Sequence, residues 1–365
     1  MNAGMQITRL ETDGYRNLKT GGFEPSPGVN IIYGDNGQGK TNLLEAVWLF
    51  TGGRSFRGSR DSDLVGFSRE EASLRLTFAA GGREQEAEIR IRGRRCAVLN
   101  GVPQPAASRL AGVFCAVVFS PAHLSLIKDG PEGRRRFLDA ADCQLRPGYV
   151  ATLSGYSRAL AQRNALLRQA RQEGGPLSRW EGLLEAWDER LAQFGARVEA
   201  AREAYVRRIQ PLAAAICDGL SGGKESLSLA LPVSGGEEGG LPERLRAARA
   251  ADFAAGFTTV GPHRADLEVR INGLSGRAFG SQGQQRSAVL ALKLAEASLL
   301  REVTGEQPVA LLDDVMSELD VSRQEYILNH IEGWQVFITC CDPAAVKRLA
   351  QGRAFHMADG CLTAD

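Results

Sequence analysis

Apolar and polar positions along the chain follow three different rhythms. In the first third the period is two: residues 72–98 alternate through LRLTFAA, EQEAEIRIRG and RRCAVLNG, and Asn100-Gly101 is a hairpin turn signal. This predicts antiparallel strands. Shorter runs at 6–12 and 29–32 read as strands separated by a glycine and proline loop; the second runs through glycines into an amphipathic helix over 42–50. A further strand is predicted over 113–119, ending at Ser120-Pro121.

From Tyr149 the rhythm becomes helical. Apolar residues recur at 149, 153, 156, 160 and 167, and after the breaker Gly174-Gly175-Pro176 at 180, 184, 187, 191, 194, 198, 201, 205 and 209. Up to 205 the second series keeps alternating steps of four and three, the spacing of a helix that packs along one seam. Two long helices joined by a glycine-proline turn are expected to fold back as an antiparallel hairpin, an arm standing off a sheet domain.

Residues 221–241 are loop-rich, with one strand near 227–231. Strands and helices then alternate: a strand over 266–271 with an Asn272-Gly273 turn, a helix after Ser281, a strand over 309–312, a helix over 322–331, a strand over 335–339 and a helix over 344–350. The expected architecture is α/β, a mixed-sheet head interrupted by an inserted helical arm. The expected divisions are 1–125, 126–245 and 246–365.

Composition changes this picture little. Of 365 residues, 43% are hydrophobic and 24% charged, and 44 basic side chains nearly cancel 43 acidic ones, so attraction to a polyanion must come from local charge. The seven cysteines are odd in number, scattered and never spaced C-x-x-C, which predicts a reducing cytoplasmic setting and no zinc. The first residues lack the basic and apolar regions of an export signal, and no apolar run approaches the roughly 18 residues of a membrane span.

Chemistry enters with Gly34-Asp35-Asn36-Gly37-Gln38-Gly39-Lys40-Thr41, which fits G-x-x-x-x-G-K-[ST] between a predicted strand and a predicted helix. Glycines let successive backbone N–H groups converge on phosphate oxygens, and the helix start adds a positive dipole end. Lys40 is expected to bridge the β- and γ-phosphates of ATP, and Thr41 to offer its hydroxyl to Mg²⁺. Val309-Ala310-Leu311-Leu312-Asp313-Asp314 reads as a strand buried on both faces whose end meets the ligand; Asp313 is expected to hold Mg²⁺ and Asp314 to polarise the attacking water.

Two further loops narrow the class. Gly280-Ser281-Gln282-Gly283-Gln284-Gln285 resembles the signature loop of ABC-class ATPases, in which Ser281, Gly283 and Gln284 would grip the γ-phosphate of a nucleotide held by another protomer. Ser317-Glu318-Leu319-Asp320 resembles the D-loop through which protomers of that class touch. With "GYRNL", "VVFSPAHLSLIKDGPEGRRRFLD", "YSRALAQRNALLR" and "VGPHRADLEV" in order along the chain, the sequence resembles the RecF family, ABC-class ATPases related to SMC proteins. The resemblance implies an ATP-dependent homodimer that binds gapped or junction DNA, hydrolyses ATP slowly, and works with RecR and RecO to load RecA. His123 and Ala265 stand where that family leads one to expect acids, and Tyr15 where it leads one to expect phenylalanine.

DNA contact is the least legible feature. Arg146, Arg158, Arg163, Arg168 and Arg171 occupy a stretch without an acid and offer phosphate contacts, while Arg134-Arg135-Arg136 serves either DNA or the base of the arm. The alternative reading is the nucleotide-binding subunit of an ABC transporter. It places its signature loop much nearer the P-loop than the roughly 240 residues here, and has a glutamine at Ser120-Pro121 and a histidine near Thr339-Cys340-Cys341-Asp342. A single-site P-loop kinase or GTPase would leave both later loops unexplained.

Overall fold

The computed structural model describes residues 4–235, 239–343 and 351–364. Its centre is a six-stranded sheet in the order Cys361–Ala364, Gly352–Ala358, Val29–Tyr33, Val336–Cys340, Val309–Asp313, Ala116–Phe119. All neighbours are parallel except the closing hairpin of Gly352–Ala358 with Cys361–Ala364. Val309–Asp313, Val336–Cys340 and Ala116–Phe119 are buried at every position, because strands covered on both faces must be apolar throughout.

A second, antiparallel sheet runs Gly21–Phe23, Gln6–Asp13, Ala72–Ala80, Arg83–Arg92, Arg94–Leu99, Val102–Gln104. Ala72–Ala80 buries alternate residues, the pattern of a sheet with one wet face. The Asn100-Gly101 and Asn272-Gly273 turns have positive φ at both residues, as a two-residue hairpin requires. Gln335 joins the two sheets: its Oε1 accepts from the Ile7 N–H at 2.7 Å and its Nε2 donates to the Ile7 carbonyl at 2.9 Å.

The arm hairpin consists of Tyr149–Glu173 and Glu181–Ser221. The second helix runs through Pro211, and at 1.5 Å per residue it is roughly 60 Å long. One stripe is buried along its whole length, against different partners at its two ends. Toward the tip, Leu184, Leu191 and Val198 pack with Tyr156, Leu167 and Ala170 of the first helix, and Leu241 and Leu245 of the Leu241–Ala255 helix close the arm core. Toward the base, Tyr205, Ile209, Ala213 and Cys217 join the head's core, with Leu290, Leu294 and Leu300 of Gln282–Thr304. One continuous helix therefore ties arm to head.

Sequence periodicity did not reveal the helices Pro131–Leu145 and Leu241–Ala255 or the strands Gly21–Phe23, Gly352–Ala358 and Cys361–Ala364. The helix expected over 344–350 lies outside the described residues. Among the described residues no helix is long and apolar enough to cross a membrane.

Candidate nucleotide site

The loop 34–39 joins a buried strand to the Lys40–Leu49 helix, and its glycines are there for lack of room as much as for φ. Gly34 has φ 149° and a Cβ on it would lie 2.2 Å from the Met357 carbonyl oxygen; Gly39 has φ 116° and a Cβ would meet Leu18 at 2.9 Å. The loop is clamped from outside by residues that the motif does not contain. Asn17 donates from Nδ2 to the Gly37 carbonyl at 3.0 Å, the Gly360 N–H donates to the Gln38 carbonyl at 3.1 Å, and the Asp359 N–H donates to Gln38 Oε1 at 2.6 Å. The helix start has no side-chain cap, so its leading N–H groups keep their donors for an anion. Lys40 is nearly enclosed; its Nζ donates to the carbonyls of Gly34 at 2.5 Å and Asp35 at 2.9 Å, with Cys341 Sγ at 3.8 Å.

Asp313 sits at the end of its strand, where the Thr41 hydroxyl donates to Oδ1 at 2.8 Å and the Thr339 hydroxyl at 3.0 Å. Burial pushes its carboxyl above the ordinary value, against the two hydroxyl bonds. Asp314 is held in the left-handed region with φ 50°, its N–H donating to Thr339 Oγ1 at 2.9 Å. That conformation is costly outside glycine and common for aspartate and asparagine among the exceptions. It re-aims the chain where the strand ends.

Beneath the loop, Glu45 is fully buried on the Lys40–Leu49 helix. Its carboxylate receives Arg16 Nε at 2.5 Å, Arg16 Nη2 at 3.0 Å, the Tyr15 hydroxyl at 3.0 Å and the Ser55 hydroxyl at 2.5 Å. The Tyr15 that replaces an expected phenylalanine thus has a use for its hydroxyl. His123 contacts the Ser120 hydroxyl through Nδ1 at 2.9 Å. Beside Ala265, Arg134 makes a two-pronged pair with Asp266 at 2.6 and 2.9 Å, while Arg135 donates to the Ala265 carbonyl at 2.9 Å. Arg134 thereby anchors the arm's base.

The signature-like loop opens the Gln282–Thr304 helix differently. Ser281 Oγ accepts from the Gln284 N–H at 3.2 Å and Gln284 Oε1 accepts from the Ser281 N–H at 3.0 Å, a reciprocal cap on an exposed helix start. Arg323 donates to Ser287 Oγ at 2.9 Å and to the Gly283 carbonyl at 3.2 Å, and pairs with Asp320; Arg286 pairs with Glu318 at 2.7 Å. The two loops read separately in the sequence are therefore one patch. Among the described residues no hydrogen bond or ion pair joins 281–286 to 34–41 of the same chain.

The acid-free arginine stretch needs correction. Arg163 is wholly buried, donating to Asp188 and Asp252 at 2.6 Å each and to Thr258 Oγ1 at 2.9 Å, and Arg146 stands 3.6 Å from Asp142. A row of cations in sequence is split by the helix into a core member and surface members.

The family described as RecF/RecN/SMC N terminal domain matches residues 6–361. The DNA replication and repair protein RecF of Lachnoclostridium phytofermentans is 40% identical, with 92% of each chain covered, and that of Symbiobacterium thermophilum is 41% identical, with 93% of this chain and 92% of the relative covered. The chain belongs to the RecF family. A solved structure of the recombination mediator protein RecF with ATP superposes with a TM-score of 0.90 at 38% identity, covering 100% of this chain and 99% of that one. The SMC head domain of Pyrococcus furiosus, at TM-score 0.55 and 18% identity, shares the fold alone: this chain has an ABC-type head.

Proposed function

We propose that this RecF-family chain is an ATP-dependent DNA-binding protein of recombinational repair and replication restart. In this reading it dimerises on ATP at gapped or single-strand/double-strand junction DNA, hydrolyses ATP slowly as a switch, and helps RecO and RecR load RecA in the cytoplasm. The RecFOR pathway to which the solved RecF–ATP relative is assigned supports the pathway, and the division into head (1–125, 246–365) and arm (126–245) is part of the same proposal.

The observation that carries it is the contrast between the two glycine-bearing helix starts. One is uncapped, lysine-bearing and beside two strand-end carboxylates; the other is exposed, capped by its own side chains and bonded to the Glu318–Asp320 loop. Loop 34–39 and Lys40 bind the triphosphate, with Lys40 Nζ leaving the Gly34 and Asp35 carbonyls for phosphate oxygens. Thr41 and Asp313 present two oxygens in contact, a donor pair suited to a hard cation, and would hold Mg²⁺, which when bound neutralises phosphate charge. Asp314 takes the proton of the water whose oxygen attacks the γ-phosphorus; the bond to the bridging oxygen breaks and ADP departs. Ser281, Gly283 and Gln284 of the partner close the site head to tail. The transporter reading is disfavoured by the long interval between the two helix starts.

Mixing two inactive chains tests it. Lys40→Met and Ser281→Arg homodimers are both inactive; in the mixed dimer one site combines both defects and the other is whole, so about a quarter of all sites recover. ATPase activity returns on mixing. A mixture as inactive as its parents, with subunit exchange demonstrated, would remove the trans role of Ser281.

A further inference from the structure

A groove of about 520 Å³ lies on the arm, between its two helices and away from the nucleotide site. Its floor is made by small residues of the first helix. A Cβ on Gly155 would stand 2.5 Å from the Phe194 ring, so Gly155 lets that ring lie against the backbone, and Ala159 and Ala161 keep the channel open beyond it. Its walls are Trp187 and Phe194, both half-buried, with Arg158, Arg190 and Gln162 at the exposed rim.

The charge is one-sided. No carboxylate lines the groove, and among the described residues neither Arg158 nor Arg190 is in an ion pair; the Arg190 guanidinium lies 5.8 Å from the Phe194 ring centre. Exposed acids of the second helix lie elsewhere: at about 100° per residue, Glu185 and Glu189 fall roughly 130–170° round the helix from the face holding Trp187, Arg190 and Phe194.

Aromatic faces flanked by unpaired cations, without acids, match a ligand of flat apolar rings strung on an anionic backbone. We propose that this arm groove binds single-stranded nucleic acid, with unpaired bases stacked on Trp187 and Phe194 and backbone phosphates on Arg158 and Arg190. A duplex hides its base faces within its own stack and has no use for the two rings. This rests on the reading of the chain as a DNA-binding protein and adds to it a second contact, for the unpaired strand beside a duplex.

The test uses the full chain without nucleotide and a labelled oligothymidylate of roughly 15 nucleotides at low salt, followed by anisotropy and tryptophan quenching. The wild type binds it. Trp187→Ala and Arg190→Glu each weaken it about tenfold, Trp187→Phe retains most affinity, and an abasic oligomer of equal length binds the wild type about tenfold more weakly. ATP-dependent binding of a blunt duplex, measured in parallel, is unchanged in all three variants. Loss of duplex binding by the wild type strikes at the function proposed above; normal duplex binding with an arm that ignores oligothymidylate strikes only at this groove. Equal affinity for the abasic oligomer overturns the stacking role, and this comparison stands whether or not Trp187→Ala folds. Displacement of the oligomer by an aspartate-rich peptide ending in phenylalanine, at lower concentration than unlabelled oligothymidylate, assigns the groove to a protein partner and overturns the proposal as well.

Discussion

Two arginine networks, one in the arm and one beside the signature-like loop, use the same side chains for opposite ends. In the arm, Arg163 is wholly buried between Asp188 and Asp252, with Arg249 on the other oxygen of Asp188 at 2.7 Å and Thr259 bonding Asp252 through its N–H at 2.8 Å. Beside the loop, Arg323 and Arg286 meet Asp320 and Glu318 in water, and the Ser322 hydroxyl and Arg323 N–H hold the Asp320 carboxyl down to about 2. A buried pair cannot be opened without stranding a charge, whereas an exposed pair exchanges partners at little cost. The arm is thus fixed by its ions and the loop patch is left free to regroup on another surface.

The largest expected effect breaks the dry network. Arg163→Met leaves buried Asp252 without a cation and Asp188 with Arg249 alone, and costs about 3–5 kcal/mol of stability, measured by denaturant titration. An unchanged midpoint would show that the network contributes nothing. At the head the corresponding deletion of a cation costs function instead: Lys40→Met lowers nucleotide affinity at least about a hundredfold, ~2.7 kcal/mol, with a near-normal unfolding midpoint. In the same titration Asp314→Asn keeps nucleotide affinity and loses hydrolysis; normal turnover would remove its role.

An intermediate effect comes from proton linkage at the arm's base. His263 Nδ1 lies 2.6 Å from the Tyr156 hydroxyl and its Nε2 lies 3.0 Å from the Thr258 carbonyl, to which it donates, leaving Nδ1 to accept from the hydroxyl when the ring is neutral. Burial brings it down to about 4. The unfolded histidine binds its proton from about pH 6.5 and the folded one only near 4, so stability is full above 6.5 and falls by about 2–3 kcal/mol as pH drops through that window. His123, lowered by burial to about 3, acts in the same direction, while Asp142, raised by burial to about 7, acts in the opposite one: its folded carboxyl keeps a proton, and stability falls as pH rises from about 4 to 7. His263→Gln should therefore reduce acid loss and Asp142→Asn enlarge it. Parallel pH profiles would contradict both assignments.

The smallest effect is Arg323→Ala, at most about 1 kcal/mol of monomer stability, because its pairs are screened. Its consequence should be seen in ATP-induced dimerisation by light scattering, since the substitution unties the signature-like loop from the Asp320 loop. A loss of several kcal/mol would mean that the patch is as rigid as the arm.

The part of the candidate nucleotide site that was legible in the sequence is the part made by consecutive residues. Gly34 to Thr41 must pass from strand to helix within one turn, and Val309 to Asp313 must be apolar because both faces are covered, so each carries its own signal. The clamp by Asn17, Asp359 and Gly360 carried none: short polar residues far apart in the chain mean nothing until the closing hairpin is laid beside the loop. The Leu241–Ala255 helix was hidden because it buries few apolar positions and uses Arg244 and Asp252 in the arm core instead. The strand Gly352–Ala358 is seven residues long and is closed by an Asp359-Gly360 hairpin turn with positive φ at both residues, a local signal that the reading of the sequence passed over.

By itself the sequence determined the strand-loop-helix phosphate motif, the two Asn-Gly hairpins, the hairpin of long helices and the family, because each rests on local stereochemistry or on residues in fixed order. Tertiary structure decided which arginines are ions of the core and which face water. It also merged two loops into one patch and turned Glu185 and Glu189 away from the arm groove. The reason is that charge has no sign of burial in sequence: only the neighbours brought by folding set whether a cation is solvated, paired or waiting for a phosphate.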